Sequence, residues 1–367
     1  MGNEGLHNER KYMLAFHKIF NINLNRYFEK IFQYYGSFEA AWQSSSFAPE
    51  MGMPKKYWEQ FVNFKKTIVP ELLEEEYYRK GIKIITRKEK NYPLSLLQIS
   101  NIPCILYYCG EVALLHKKSL AMVGSRLATF YGLKQAHSLA AELSQNGVVI
   151  VSGMARGIDA AAHEGALEGK GGTIAVLGSG LDVPYPRENM KLFHRICEKG
   201  LVISEYPPET KPLNYHFPIR NRIISGISSG VFVVEAKARS GSLITCDLAL
   251  EQGKEVFALP GAVTSSNSIG PLRLIQQGAK LVIYAQDILE ELGYEYKTDV
   301  YNKQKEIIKD IGEKEKVILE WISWEPLNLD FLLEKSPQRA EEVLRILLEL
   351  ELKGLIRQLP GKYYVRV

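Results

Sequence analysis

Residues 217–261 hold the side chains best suited to chemistry. Arg220 and Arg222 closely follow an aromatic residue, and a Ser-Gly-Ser turn at 240–242 stands where a helix must begin. A turn rich in hydroxyls and glycine that follows a parallel strand points free backbone N–H groups at one spot, where an anion can bind. Two nearby guanidinium groups make phosphate the natural ligand. A nucleotide or a nucleic acid is therefore the first hypothesis for the ligand.

The composition sets broad limits on the class of protein. With 367 residues the chain is long enough for two or three domains, and 46% hydrophobic with 24% charged residues is ordinary for a soluble globular protein. The net charge of +4 permits a nucleic-acid partner without demanding one, so any basic surface must be local. No apolar run approaches the roughly 18 residues of a membrane span, and the opening residues are too polar for a signal peptide. We expect a cytoplasmic protein without a membrane partner.

The cysteines indicate a reducing compartment. Cys104, Cys109, Cys197 and Cys246 lie in or beside apolar runs, with no CxxC pair and no accompanying histidine ligands. Such cysteines are typical of small buried hydrophobic residues. The sequence therefore predicts neither a metal site nor a cofactor.

Two domains are predicted before residue 293. Residues 1–80 have apolar and aromatic residues at helical spacing, which predicts a small helical domain loosely similar to SAM or helix-hairpin-helix modules. Residues 81–292 alternate helical stretches with continuous apolar runs, which suit strands buried on both faces. From Leu120 onward we therefore predict an α/β domain with a Rossmann-like, doubly wound parallel sheet. The predicted strands are Ile82–Thr86, Ile105–Tyr108, Leu120–Val123, Val148–Ser152, Thr173–Leu177, Leu201–Ser204, Val231–Glu235, Glu255–Leu259 and Leu281–Tyr284.

The C-terminal part predicts a linker and a winged helix. Residues 293–313 are polar and lack periodicity, whereas residues 314–367 suggest three helices followed by a two-stranded wing. We expect the third helix to begin at Ser336-Pro337, with Ser336 as its N-cap. Because that helix is rich in glutamate, it is a poor reader of the DNA major groove. Protein contact or structural support is the expected role.

Four strand-to-helix junctions of the middle domain share a glycine-rich character. They are Gly124-Ser125-Arg126, residues 153–157 (GMARG), Gly178-Ser179-Gly180 and Ser240-Gly241-Ser242. In an open parallel sheet such junctions lie at the carboxyl edge and converge on one crevice. Glycine lets backbone N–H groups approach a ligand closely, and the arginines add positive charge. Together the junctions predict an anion-binding crevice.

At these junctions the sequence resembles a known family. Gly124-Ser125-Arg126, residues 151–163 (VSGMARGIDAAAH), Tyr185-Pro186 with Asn189, and the block Phe217–Gly261 look like the motifs of the DNA-processing protein A family, DprA/Smf, in the same order. The resemblance implies binding and protection of single-stranded DNA and loading of the RecA recombinase onto it. It also implies a homodimer and a role in natural transformation or recombination, with no established catalytic activity.

The resemblance also suggests which residues contact DNA. Arg126 matches the family's DNA-contacting arginine. Phe217 matches an aromatic at the pocket, where it either stacks on a base, for about 1–3 kcal/mol, or packs in the core. Asn214 stands where many relatives carry lysine, a departure that should weaken binding unless Lys191 or Lys211 reaches the same groove.

The complete set of predicted contacts includes residues whose role stays open. Arg220 and Arg222 either contact phosphate or pair with a glutamate, Glu205 or Glu235. The predicted single-strand-binding residues are Gly124, Ser125, Arg126, Gly153, Arg156, Lys191, Lys211, Asn214, Phe217, Arg220, Arg222, Ser240, Gly241 and Ser242. Arg273, Leu274 and Val282, at the end of the middle domain, are the candidates for a dimer interface.

An enzyme is the alternative hypothesis. Asp159 and His163 are four residues apart in a predicted helix, where they form either an acid/base dyad or a contact that orients the helix. No nucleophile motif accompanies them. Glu205 and Glu235, each at a strand end, suit a Rossmann-like nucleotide hydrolase, although residues 259–262 (LPGA) lack the second glycine of such enzymes. A dehydrogenase is less favoured, because no Gly-x-Gly-x-x-Gly follows the first strand of the parallel sheet.

Overall fold

The computed structural model describes residues 3–44, 52–294, 312–323 and 326–366, with side chains from residue 9 onward. The chain forms two compact units, Met1–Tyr296 and Lys297–Val367. Among the described residues, no helix combines the length and apolar character that crossing a membrane requires. The predicted linker at 293–313 lies almost entirely outside the described residues.

The first unit begins with helices, as the apolar spacing predicts. They are α1 (Asn3–Phe20), α2 (Leu24–Tyr35), α3 (Phe38–Gln43), α4 (Lys55–Lys65) and α5 (Pro70–Arg79). Gly36 ends α2 with a φ of 79°, and the Ser37 hydroxyl then caps α3 by accepting a hydrogen bond from the backbone N–H of Ala40. Aromatic side chains fill the space between the helices, with the rings of Phe16 and Phe61 stacked at 4.7 Å.

A nine-stranded sheet follows these helices within the described part of the chain. Its strands are β1 (Lys83–Thr86), β2 (Ile105–Gly110), β3 (Ser119–Val123), β4 (Val149–Ser152), β5 (Thr173–Leu177), β6 (Leu201–Ser204), β7 (Gly230–Val233), β8 (Glu255–Ala258) and β9 (Lys280–Leu281). The spatial order is β1-β2-β6-β5-β4-β3-β7-β8-β9. The last seven strands in this order run parallel to one another. The chain winds outward from β3 to β6 and then returns to the other side of β3, so the predicted doubly wound, Rossmann-like fold is confirmed.

Helices cover both faces of the sheet. These helices are α6 (Phe130–Gln145), α7 (Ile158–Ala166), α8 (Met190–Lys199), α9 (His216–Ile227), α10 (Gly241–Glu251), α11 (Ile269–Gln276) and α12 (Ala285–Glu291). Apolar residues of α9, α10 and α11 share one core with the sheet, whereas those of α6, α7 and α12 pack on the opposite face. Because both faces are covered, the strands are continuous apolar runs, which made them readable from the sequence.

The N-terminal helices share a core with the sheet. Residues of α1 to α5 pack in one cluster with strand residues from β2, β5 and β6. Within this cluster the His17 Nδ1 atom lies 2.9 Å from the Tyr107 hydroxyl, and the Asn25 amide donates a 2.6 Å hydrogen bond to Glu205. Paired polar groups are compatible with burial, and they fix the orientation of the helices on the sheet.

The second unit has the elements of the predicted winged helix. They are α13 (Glu313–Trp321), β10 (Leu327–Asn328), α14 (Leu329–Lys335), α15 (Ala340–Leu352), β11 (Ile356–Leu359) and β12 (Tyr363–Arg366), with the strands in the order β10-β12-β11. The third helix begins later than the predicted Ser336-Pro337. The Ser336 hydroxyl instead accepts a hydrogen bond from the N–H of Gln338, in a turn before α15. The glutamates of α15 in part pair with nearby cations, Glu342 with Lys314 and Glu349 with Arg345.

Two buried histidines are expected to make the stability of the first unit sensitive to acid. Burial lowers the pKa of His17 and of His163 from 6.5 to about 3. Between these values the unfolded chain binds protons that the folded chain does not, so stability is retained above about pH 6.5 and falls as the pH drops toward 3. Lowering the pH from 7 to 5 should reduce the unfolding free energy by about 2 kcal/mol for each of the two histidines.

Urea unfolding at pH 7 and pH 5 measures this loss. The variant His17→Gln should lose the part of the pH-dependent change in stability that His17 contributes. His116→Gln, at an exposed position, should retain the whole change. A pH dependence that is the same in wild type and in His17→Gln would contradict the assignment.

Candidate nucleic-acid interface

The loops after β3, β4 and β7 meet at the carboxyl edge of the sheet, where the strand order reverses between β3 and β7 and where the sequence predicts the crevice. The loops after these strands touch: the Ser125 N–H donates a 2.7 Å hydrogen bond to the carbonyl of Glu235. The loop after β4 joins them, because the Ile158 N–H donates to the carbonyl of Ser125. Ligands of open α/β sheets bind at such a reversal point.

Phe217 lies near this edge, in the first turn of α9. Its ring is half-buried, 5.6 Å from the ring of Tyr185, and the guanidinium carbon of Arg126 lies 5.5 Å from its centroid. The loop after β5 passes directly behind the ring, since a Cβ at Gly178 would lie 2.9 Å from a Phe217 ring carbon. Glycine at position 178 is therefore needed for this close approach.

Exposed cations lie on several of the surrounding segments. The side chains of Arg126, Arg156, Lys191 and Lys211 are exposed, as is that of Asn214. Arg156 pairs with Glu188 at 3.2 Å, but both side chains are more than half exposed. An ion pair this exposed contributes about 0–1 kcal/mol, so a phosphate can compete for the arginine.

Arg220 is buried behind the crevice. It is 4% exposed, and its guanidinium donates hydrogen bonds to the carbonyls of Val176 and Gly153, the latter at 2.9 Å. A Cβ at Gly153 would lie 2.6 Å from this guanidinium, so glycine makes room for it. Burial lowers the pKa of Arg220 to about 10, against the opposing effect of Asp159, and leaves it charged at neutral pH. Arg220 thus holds the ends of β4 and β5 together.

Arg222 pairs with Glu205, one of the two alternatives left open by the sequence. The guanidinium lies 2.5 Å from the Glu205 carboxylate, with exposures of 6% and 1% for the two side chains. The same carboxylate oxygen accepts the hydrogen bond from Asn25. In this structure Arg222 therefore faces the protein interior and not the crevice surface.

The carboxylates of the enzyme hypothesis take part in contacts within the protein. Glu235 accepts hydrogen bonds from the N–H and the hydroxyl of Thr129, which begins α6. Asp159 accepts from the N–H of Gly153 at 3.1 Å, and burial raises its pKa. His163 Nδ1 lies 2.7 Å from the Thr173 hydroxyl instead of bonding Asp159. Asp159 and His163 thus do not form the predicted pair, because each contacts a different residue.

The turn at Ser240 begins α10 beside α9. The Ser240 hydroxyl accepts a hydrogen bond from the N–H of Ser242, and the carbonyl of Gly241 accepts one from the Asn221 amide at 3.3 Å. Asn221 lies one turn after Phe217, which connects this junction to the crevice along α9. Lys237 and Arg239 are exposed in the loop before this turn.

Sequence reasoning missed these two cations and Tyr185 as site candidates. Lys237 and Arg239 stand between Glu235 and Ser240, in a loop already predicted to reach the carboxyl edge. Their position was therefore a usable signal. Tyr185 belongs to a motif of the family, but its contact with Phe217 forms only in the folded chain.

The candidate dimer residues need correction. Leu274 is 9% exposed and Val282 is fully buried, so their side chains are not available at the surface, whereas Arg273 is exposed. Side chains alternate between faces in extended backbone, and after β9 Val282 points inward. In this segment the exposed apolar side chains are those of its neighbours Leu281, Ile283 and Tyr284.

The chemistry of the donor groups does not suggest a metal. Across residues 3–44, 52–294, 312–323 and 326–366, no group of three or more His, Cys, Asp or Glu side chains is arranged to hold a metal ion.

Comparison with known proteins identifies the family. A family model described as DNA recombination-mediator protein A matches residues 83–293, and one described as DprA winged helix domain matches residues 309–362. Protein Smf of Escherichia coli is 40% identical over 325 residues, covering 86% of this chain and 85% of that protein. The chain belongs to the DprA/Smf family. DNA processing protein DprA of Bacillus subtilis is 47% identical over 217 residues, 59% of this chain and 73% of that protein.

Solved structures of the DprA/Smf family have the same fold. DprA of Streptococcus pneumoniae aligns with a TM-score of 0.66 and 39% identity, covering 78% of this chain and 99% of that chain. DprA of Helicobacter pylori, whose structure is described in terms of a unique single-stranded DNA binding mode, aligns with a TM-score of 0.54 and 32% identity. This second alignment covers 58% of this chain and 97% of that chain.

Removing the buried partner of Arg222 should destabilise the first unit strongly. Glu205→Ala leaves a buried guanidinium without its counter-charge, which typically costs about 3–5 kcal/mol of unfolding free energy. Glu188→Ala removes the exposed partner of Arg156 and should cost less than about 1 kcal/mol. Urea unfolding of both variants measures the difference. Equal stability of the two variants would show that the Glu205–Arg222 pair is not a structural requirement.

Proposed function

We propose that this chain binds single-stranded DNA in the crevice at the carboxyl edge of the sheet, and that it does so during transformation or recombination. The observation that carries the proposal is the pairing of a half-buried aromatic, Phe217, with the exposed guanidinium of Arg126 at 5.5 Å. Proteins that bind single strands combine an aromatic face for a base with cations that follow the phosphate backbone.

The arrangement favours a single strand over a duplex. A base must leave the double-helical stack before its face can contact a ring such as Phe217 or Tyr185. In a duplex both faces of each base are already occupied by stacking neighbours. Helix α15 is acidic and therefore poorly suited to bind in a groove of duplex DNA. This favours a role for the winged helix in protein contact or in structural support.

Affinity should be mainly electrostatic and tolerant of sequence. The nearby cations Arg126, Arg156, Lys191 and Lys211 are exposed, and Lys237 and Arg239 extend the basic surface toward α10. The net charge of the whole chain is only +4, so the attraction comes from this local concentration of cations. Binding that displaces counterions from DNA weakens as salt rises.

The relatives support the proposal independently of the geometry. The family model is described as a recombination mediator, and the Helicobacter pylori relative is described as binding single-stranded DNA. We extend the proposal to protection of the strand, to loading of RecA and to a cytoplasmic homodimer, all of which rest on the resemblance to the family. We place the dimer contact at the exposed apolar side chains of Leu281, Ile283 and Tyr284.

We propose a binding protein in preference to a nucleotide hydrolase. Glu205 and Glu235 were the best catalytic candidates, and each has a structural partner: Arg222 for Glu205 and Thr129 for Glu235. A carboxylate with this burial and these contacts is poorly placed to activate a water on a ligand.

Reversing the charge at Arg126 tests the site. Arg126→Glu should weaken binding of labelled oligo-dT at least about tenfold, because it places a carboxylate where a phosphate should lie beside Phe217. Fluorescence anisotropy measures the affinity, and circular dichroism checks the fold.

Lys170→Glu is the matched control. It makes the same change in net charge at an exposed position before β5, at the opposite edge of the sheet, and it should bind nearly as wild type does. A folded Arg126→Glu protein with unchanged affinity would remove Arg126 from the site. Equal losses in both variants would indicate a response to net charge alone.

A further inference from the structure

Cys109 and Cys197 lie side by side, away from the crevice. Cys109 is near the end of β2 and Cys197 is in the last turn of α8, and their side chains interact, since each thiol shifts the pKa of the other. The backbones are also in contact. The Glu111 N–H donates a 2.8 Å hydrogen bond to the carbonyl of Gly200, and a Cβ at Gly110 would lie 3.1 Å from the carbonyl oxygen of Cys197. Two packed elements therefore fix the approach of the two thiols.

The remaining cysteines provide an internal comparison. Cys104 and Cys246 are fully buried, whereas Cys109 and Cys197 are partly exposed. Burial raises the pKa of Cys246 to about 12 and that of Cys104 further, so both stay protonated and unreactive. The interaction with Cys197, helped by the charge of Lys83, lowers the pKa of Cys109 against the effect of burial. Cys109 is therefore the more acidic thiol of the pair and the one expected to attack an oxidant.

We propose that Cys109 and Cys197 form a reversible dithiol–disulfide site that is oxidised by hydrogen peroxide. The packing of the end of β2 against the end of α8, which brings the two side chains together, and the partial exposure of both cysteines carry this inference. It does not rest on the proposed DNA binding. It also differs from the expectation that all four cysteines are inert buried residues.

The oxidation proceeds in two balanced steps. The Cys109 thiolate attacks one oxygen of the peroxide, the O–O bond breaks, and the products are a sulfenic acid at Cys109 and water, once the leaving hydroxide takes up a proton. The Cys197 sulfur then attacks the sulfenic sulfur, and the hydroxyl leaves as water with the proton of the Cys197 thiol. Two thiols and one peroxide give one disulfide and two waters. A dithiol reductant reverses the reaction by thiol–disulfide exchange.

The location of the pair links it to the rest of the first unit. A disulfide would tie the C-terminal end of α8 to β2. The other end of α8 follows Asn189, whose amide donates a 2.9 Å hydrogen bond to the carbonyl of Met154 in the loop after β4. Oxidation would therefore fix a helix that borders the crevice at its opposite end.

The test uses the full-length protein treated with a small excess of hydrogen peroxide. Remaining thiols are then alkylated in denaturant, and the products are analysed by intact and peptide mass spectrometry. We expect two of the four cysteines to escape alkylation, one peptide pair to be joined through Cys109 and Cys197, and dithiothreitol to restore all four thiols. Cys246→Ser should form the same disulfide, because it replaces a cysteine outside the pair.

The variant Cys197→Ser separates the two steps. It should stop at the sulfenic acid, which dimedone traps at Cys109 as a covalent adduct. Four alkylated cysteines after peroxide treatment of the wild type would overturn the proposal. So would a disulfide between any other pair, or dimedone labelling that does not favour Cys109.

Discussion

The crevice depends on one buried ion pair, that between Arg222 and Glu205. The pair fixes α9 against the end of β6, and α9 carries Phe217 at its first turn. Burying two charges is costly unless each has its counter-charge and further hydrogen bonds, and Asn25 supplies one of these from the N-terminal helices. The N-terminal helices are therefore part of the support of the crevice as well as a covering for the sheet.

Cations in this region fall into two groups according to burial. Arg220 and Arg222 lie inside and hold strand ends and helix together, whereas Arg126, Arg156 and the lysines lie outside, where phosphate can reach them. The division follows from the position of α9, which is packed between the face of the sheet and α10 and exposes few of its residues. A chain whose overall charge is nearly balanced can in this way present a strongly basic surface in one place.

Much of the fold could be predicted from the sequence because both faces of the sheet are covered. Continuous apolar runs then mark the strands, and glycine-rich junctions mark the carboxyl edge. The sequence offered the Glu205 pairing of Arg222 only as one of two alternatives, and it gave no sign that Arg220 would bond the carbonyl of Gly153, because these groups become neighbours only in the folded chain. The prediction that Val282 lies in a dimer interface failed because an apolar run alone does not reveal which face of a strand is exposed.

The most direct test of the account compares labelled oligo-dT with its duplex by fluorescence anisotropy at low and moderate salt. The account predicts tight binding of the single strand, a steep loss of that affinity as salt rises, and little binding of the duplex. Equal affinity for the duplex would contradict a site built on base stacking at Phe217. Absence of binding to either would contradict the assignment of the crevice to DNA.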